Sequence, residues 1–263
     1  MSARGWAVVT GASSGIGAAF ARALDARGYS LVLVARRRER LEELARACKR
    51  AEVLTADLED QADVERVATH ALHLGDVELL VNNAGFGSNG AFVALDPARE
   101  LGQLKLNAVA PFVLAQRLLP AMIGRKAGGI INISSIGAFQ PVPYMATYGA
   151  TKAFLLSWSE ALSHELRGSG VRVTCICPGP VATEWAGIAG VPQALAQAPH
   201  TISPDALVRR ALAAYDGGRA VFVPGLVNWL TAFFAKIFPR VVIRAVAGRL
   251  YAPRAQKALN PRS

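Results

Sequence analysis

Tyr148 and Lys152 stand four residues apart in Tyr148-Gly149-Ala150-Thr151-Lys152, near the start of a segment patterned as a helix over 145–167. That spacing puts both side chains on one helix face. A phenol, with a pKa of about 10, is a poor acid or base at neutral pH. An ammonium beside it stabilises the phenolate and moves proton transfer toward the working range. Ser135 lies just past an apolar run at 129–134 and offers a hydroxyl that can hydrogen-bond a substrate carbonyl or alcohol. Taken alone, Tyr-x-x-x-Lys is common, and a surface pair is its ordinary reading.

A second constellation lies near the start of the chain. Thr10-Gly11-Ala12-Ser13-Ser14-Gly15-Ile16-Gly17 falls between an apolar strand pattern at 6–10 and a helix pattern at 16–27. Glycines let a backbone turn tightly against a pyrophosphate, and the following helix adds free N–H groups and a positive dipole end. The next strand pattern ends Val34-Ala35-Arg36-Arg37. A dinucleotide site that prefers NAD carries an acidic residue at this strand end, facing the ribose 2′-hydroxyl. Here a guanidinium follows Ala35, and it can clamp a 2′-phosphate. NADP(H) is therefore expected over NAD(H), with Arg36 as the reader and Arg37, Arg38 and Arg40 as a solvated helix start.

Seven strand patterns are expected at 6–10, 30–35, 52–56, 78–82, 129–134, 171–177 and 220–224. Helix patterns fall between them at 16–27, from after 35 through 50, and at 61–74, 97–123, 145–167 and 206–215. Most strand runs are continuous in Val, Ile and Leu, the mark of parallel strands covered on both faces. Repeated strand–helix–strand units require right-handed crossovers. The expected fold is α/β: a doubly wound parallel sheet of Rossmann type in three α/β/α layers, one domain over 1–225. The loop at 187–200, rich in Ala, Gly and Pro, is a lid candidate.

These motifs occur in order with Asn82-Asn83-Ala84-Gly85, Asn107 and Pro178-Gly179-Pro180-Val181-Ala182-Thr183. Over about residues 5–225 the chain resembles the short-chain dehydrogenase/reductase family in its short single-domain branch. The resemblance implies that Gly11, Ser13, Ser14, Gly15, Ile16 and Gly17 form the phosphate-binding turn and that Arg36 binds the 2′-phosphate. It implies that Asp57 and Leu58 flank the adenine, and that Asn83, Ala84 and Gly85 wall the adenosine ribose. Pro178, Gly179, Val181 and Thr183 match the segment that contacts the nicotinamide carboxamide. Asn107 matches an asparagine holding a water in a proton relay. Ser135, Tyr148 and Lys152 match the catalytic residues; Ser134 is the rival serine, and the spacing to Tyr148 favours Ser135. The implied reaction is hydride transfer from a nicotinamide to a carbonyl carbon, with Tyr148 as proton donor, Ser135 on the oxygen, and Lys152 both tuning the phenol and holding the nicotinamide ribose. An NAD(P)-dependent alcohol dehydrogenase running in oxidation and a non-catalytic nucleotide-binding regulator are the alternatives.

With 52% apolar and 18% charged residues among 263, the chain has the composition of a well-buried protein. The net charge of +10 favours anionic partners without choosing among them; no base-stacking or groove-reading motif points to nucleic acid. Cys48, Cys175 and Cys177 make no disulfide framework, and His70, His73, His164 and His200 have no metal-ligand spacing, so no metal is expected. An apolar strand pattern begins at Trp6, directly after Met-Ser-Ala-Arg-Gly, with no leader pattern, and no transmembrane helix is expected. The expected setting is the cytoplasm, with a small-molecule carbonyl or alcohol as partner and a homodimer or homotetramer as assembly. The segment 226–251 is almost wholly apolar, carries Lys236, Arg240 and Arg244 at four-residue steps, and is interrupted by Pro239. Two helices covering the substrate cleft or a partner subunit are expected there, within an extension (226–263) packed on the same domain. A peripheral contact with an anionic membrane is the alternative. An apolar lid suits a lipophilic substrate such as a 3-oxoacyl or steroid-like ketone.

Overall fold

A computed structural model describes residues 4–252; the end of the expected extension, 253–263, lies outside them. Seven parallel strands form one sheet in the order β3-β2-β1-β4-β5-β6-β7. They are β1 (Trp6–Thr10), β2 (Ser30–Ala35), β3 (Ala51–Thr55), β4 (Val77–Asn82), β5 (Gly128–Ile133), β6 (Val171–Ile176) and β7 (Val221–Phe222). The helices between them are α1 (Gly15–Ala26), α2 (Arg38–Arg46), α3 (Gln61–His73), α4 (Pro97–Leu104), α5 (Ala110–Gly124), α6 (Ala146–Glu165), α7 (Trp185–Ala189), α8 (Gln193–Ala196) and α9 (Pro204–Asp216). Two more follow the sheet, α10 (Leu226–Ile237) and α11 (Arg240–Tyr251). This is the expected Rossmann-type architecture.

Alternation along each strand splits the core in two. Val8, Val32 and Val34 pack under α3 and α5 with Val67, Leu114 and Met122. Their neighbours Ala7, Val9, Leu31 and Leu33 pack on the opposite face with Phe20, Leu24, Leu207 and Leu212 from α1 and α9. Both faces are apolar because both are covered, which is why the strands show no polar alternation. Strand order reverses between β1 and β4, and ligands of such sheets bind outside the carboxyl ends of the strands at that switch point.

Several boundaries differ from expectation for local reasons. The second helix ends at Arg46 rather than running through 50. α9 begins at Pro204, two residues early, because the Ser203 hydroxyl accepts the Ala206 amide (3.3 Å) and Pro204 suits the first turn. β7 is only two residues long: Pro224 has no N–H for a ladder, and Gly225 at φ +90 turns the chain into α10. The loop after β6 carries the short α7 and α8. The expected helix at 97–123 is instead α4 and α5 joined by a π-helical stretch, Lys105–Val109. Pro111 has no N–H to give the Asn107 carbonyl four residues back, so an unbroken α ladder cannot form there. By length and composition α4–α5 could cross a membrane, yet its buried face packs against α3 and the sheet.

Candidate active site

Most candidate residues sit where a strand hands over to a loop or helix at the carboxyl edge of the sheet; Asn107 comes from the stretch between α4 and α5, and Tyr148 and Lys152 from α6. After β1 the chain turns through Gly11 at φ +67, a conformation that side chains rarely adopt, and a Cβ there would come within 2.8 Å of Asn83 Nδ2. At Gly17 a Cβ would collide with the Gly11 carbonyl, so this glycine is what lets α1 close on the turn. Asn83 braces the arrangement. Its Nδ2 donates to the carbonyls of Thr10 (2.9 Å) and Gly11 (3.3 Å), while Thr10 Oγ1 accepts the amides of Asn83 (2.9 Å) and Ala84 (3.0 Å). Ser14 caps α1 with no side-chain bond to its amides, leaving the positive helix end open. Such a backbone cradle fits a pyrophosphate. Ile16 packs on the core below, and Thr183 closes the far side, its Cγ2 lying 2.9 Å from where a Gly15 Cβ would be.

The arginines after β2 divide differently from expectation. Arg36 Nη1 donates to Glu59 (3.2 Å) and lies 3.7 Å from Asp57, toward the end of β3. Arg37, expected to be solvated, instead reaches the phosphate-binding turn: Nη2 donates to Ser14 Oγ (2.7 Å) and Nε to Ser13 Oγ (3.2 Å). Its Nη1 donates to Glu184 (3.0 Å), as does Arg40 (2.8 Å), and these hydrogen bonds hold the Glu184 carboxyl below the usual range. Only Arg38 behaves as read, pairing with Glu42 one turn on along the same helix. Asp57 is half-exposed, whereas the Leu58 side chain is buried in the core, which leaves only its backbone to border an adenine.

At the other end, β5 runs into Ser134 and Ser135. The Ser134 hydroxyl is buried and donates to the Lys152 carbonyl (2.7 Å), so it is spent on positioning α6. Ser135 Oγ accepts the Gly137 amide (3.1 Å) and faces the Tyr148 phenol. Burial pushes the phenol pKa up, hydrogen bonding to Ser135 draws it down, and Tyr251 raises it again. Lys152 is buried, and burial pushes its pKa down to about 8 against the partial pull of Cys175 and Cys177, whose sulfurs lie 3.9 Å apart beneath it. Its Nζ donates to the Ile133 carbonyl (2.8 Å) and lies 5.7 Å from the Tyr148 ring centroid. The expectation that the ammonium lowers the phenol pKa is corrected on this point: burial holds the phenol above its ordinary range, and Ser135 is what draws it down. Asn107, wholly buried in the π stretch, donates from Nδ2 to the Phe86 carbonyl (2.9 Å) and Thr151 Oγ1 (3.2 Å). Its Oδ1 lies 2.9 Å from where a Gly85 Cβ would be, and Lys152 Nζ 3.5 Å, so the ribose-wall segment and the Tyr–Lys pair meet at Gly85.

Segments that carried no chemical signal complete the walls. Trp185 packs on Tyr148 with ring centroids 4.9 Å apart, and Val142, Met145, Ala189 and Tyr251 join the same apolar cluster. The Tyr251 carbonyl accepts Asn89 Nδ2 (3.0 Å), and Tyr144, at φ +65, is a strained residue four positions before Tyr148. Pro178 accepts the Ile136 amide (2.9 Å), and Gly179 lies directly against Asn228 of α10. Val181 bridges to Ile202. An open cleft runs from Ser14 and Gly15 past Thr183 and Glu184 to Asp205.

Residues 5–189 match the family model for short chain dehydrogenases. Hydroxysteroid dehydrogenase-like protein 1 of Gallus gallus is 30% identical over 254 residues, 90% of this chain and 76% of its own length. A very-long-chain 3-oxoacyl-CoA reductase of Phaeosphaeria nodorum is 39% identical over 181 residues, and the chain spans only 53% of its length. Among solved structures, a short-chain dehydrogenase from Sphingobium yanoikuyae in complex with NADPH is 34% identical, with a TM-score of 0.79 over 96% of this chain and 98% of that one.

Proposed function

The chain belongs to the short-chain dehydrogenase family, an oxidoreductase working on alcohol or ketone groups with a nicotinamide cofactor, and from that premise we propose that it is an NADPH-dependent reductase of lipophilic ketones. The observation that carries the reading is the pairing of Tyr148 with Ser135 above a buried Lys152, at the end of the sheet where the Gly11–Gly17 cradle opens. When bound, the nicotinamide supplies hydride to the carbonyl carbon. Tyr148 gives its proton to the developing alkoxide oxygen. Ser135 donates a hydrogen bond to that oxygen as its charge grows. Lys152 stabilises the phenolate left behind and offers donors to the ribose; Asn107 would anchor the water that restores the proton. Ser13, Ser14, Gly15 and the open end of α1 would hold the pyrophosphate, Asp57 and Leu58 would border the adenine, Asn83–Gly85 its ribose, and Pro178, Gly179, Val181 and Thr183 the nicotinamide amide.

The apolar cluster around Tyr148 favours a hydrophobic ketone, and the similarity to a 3-oxoacyl-CoA reductase and a hydroxysteroid dehydrogenase-like protein agrees with an acyl or steroid-like skeleton. A homodimer or homotetramer in the cytoplasm is part of the same reading. The deciding experiment compares kcat/KM for NADPH and NADH over aliphatic, acyl-thioester, steroid and aromatic ketones, with the matching alcohols for oxidation. A preference for NADH sinks the cofactor assignment; turnover only in oxidation reverses the direction; no turnover with any carbonyl leaves a nucleotide-binding protein.

The arginine geometry sharpens the cofactor assignment. Two guanidiniums border the adenosine end, Arg36 on the β3 side and Arg37 on Ser13 and Ser14. A charge-assisted hydrogen bond contributes about 1.5–3 kcal/mol, or about one to two orders of magnitude in affinity. Arg36→Ala is expected to weaken NADPH at the low end of that range because Arg37 remains, and Arg36→Ala/Arg37→Ala to lose the full range, with NADH nearly unchanged in both. Titration of each variant with both cofactors checks this. Equal loss for both cofactors would remove the arginines from 2′-phosphate recognition.

A further inference from the structure

α10 and α11 are built inside out. In a surface helix the large apolar residues face the core and polar ones face water. Here the buried positions are small or polar, Asn228 and Ala232 on α10 and Ala247 on α11. The large residues point away from the protein: Trp229, Phe233, Phe234 and Ile237 on α10, Val242 and Leu250 on α11, with Ile237 61% exposed. The aromatics form a continuous outer band, Trp229 stacked on Phe233 at 5.3 Å between centroids and Phe234 following at 5.7 Å. An apolar surface of this extent marks an interaction site.

Charge identifies the partner. After Asp216 the chain has eight Lys and Arg and no Asp or Glu, so this tail carries +8 of the overall +10. Lys236, Arg240, Arg244 and Arg249 all stand exposed on the two helices, and the ion pairs of the described residues involve nothing beyond Asp216. A two-fold pairing of copies through this face would repeat the same residues on both sides and bring like charges together with no acid to meet them. An acyl-chain region bordered by anionic headgroups answers both features: aromatic and aliphatic side chains enter it, and Lys and Arg remain at the phosphate level.

We propose that the outer face of α10–α11 is a docking surface for an anionic lipid bilayer. The inner side of the same pair closes the candidate active site. Asn228, buried with its Oδ1 unpaired, packs on Gly179, and Tyr251 at the end of α11 lies in the apolar cluster around Tyr148. The docked protein therefore holds the mouth of its site against the membrane, within reach of ketones dissolved there. The docking itself rests on the surface alone and stands apart from the ketone-reductase reading.

The test is flotation of the full chain, loaded with NADPH, with vesicles of phosphatidylcholine alone or mixed with phosphatidylglycerol, at low and physiological salt. The wild type is expected to float with the anionic vesicles, less so at higher salt, and to remain unbound with phosphatidylcholine alone. Each basic residue at an anionic surface contributes about fivefold in binding, so Arg240→Gln/Arg244→Gln is expected to bind about thirtyfold more weakly. Lys236 is left in place because its Nζ lies over Phe139, four residues after Ser135 in the chain. Phe233→Ser/Phe234→Ser removes exposed side chains and should also abolish flotation, with NADPH affinity unchanged. The proposal is overturned if the wild type floats with neither vesicle, or if the arginine variant floats like the wild type. It is equally overturned if the phenylalanine variant instead dissociates a dimer that never binds lipid.

Discussion

Tyr148→Phe is expected to lower kcat by roughly 10²-fold or more while NADPH affinity stays within a few-fold. The substitution keeps the ring that packs on Trp185 and removes only the hydroxyl facing Ser135. Burial holds the phenol well above its ordinary pKa, so at neutral pH it is a proton donor, the form that carbonyl reduction needs. Single-turnover reduction of one ketone under saturating NADPH isolates the chemical step. A rate like that of the wild type removes Tyr148 from the mechanism; equal loss of cofactor affinity makes its role structural instead.

Lys152→Met is expected to do two opposite things: raise the melting temperature and remove about 10²-fold of turnover. Burial depresses the lysine pKa from 10.5 to about 8. Between those values the folded chain binds fewer protons than the unfolded one, so stability rises with pH across the window, and below it the buried ammonium costs on the order of 3 kcal/mol. Methionine removes that cost and loses the bond to the Ile133 carbonyl, leaving a net gain of about 1 kcal/mol, or roughly 2–4 °C for a chain of this size. The same pKa places a limb in the wild-type profile: kcat/KM for reduction falls as pH rises through about 8, where the ammonium loses its proton. In Lys152→Met that limb should vanish. Survival of the limb assigns it to another group; an unchanged rate shows that the cation is dispensable.

The strands were legible because burial on both faces leaves an unbroken apolar run: β1 and β2 fall where Trp6–Thr10 and Ser30–Ala35 predict them. The glycine turn and the Tyr148–Lys152 spacing were legible because each needs particular residue types at fixed separations. Arg37 was not, since nothing in a run of arginines says which one folds back onto Ser13 and Ser14. Glu184 and Tyr251 were invisible for a related reason: each meets its partner across more than a hundred residues, through the way the ends of β6 and α11 return to the site. The choice between Ser134 and Ser135 rested on the resemblance and the spacing to Tyr148, and no contact told the two apart until the Ser134 hydroxyl was seen spent on the Lys152 carbonyl.

The π-helical stretch at Lys105–Val109 holds one residue more than the α-helical turn it replaces. Loss of a single codon within it would remove that surplus residue: the flanking helices would keep their facing, while the residues of the stretch itself fell back to α spacing up to Pro111. Asn107 would then swing away from Phe86 and Thr151, although every neighbouring side chain kept its identity. Insertions and deletions are ordinarily absorbed at exposed loop tips such as the one carrying α7 and α8. In this short stretch around the buried Asn107 they would act as switches, and related genes that differ here in length rather than in letters should encode proteins that fold yet no longer share this chemistry.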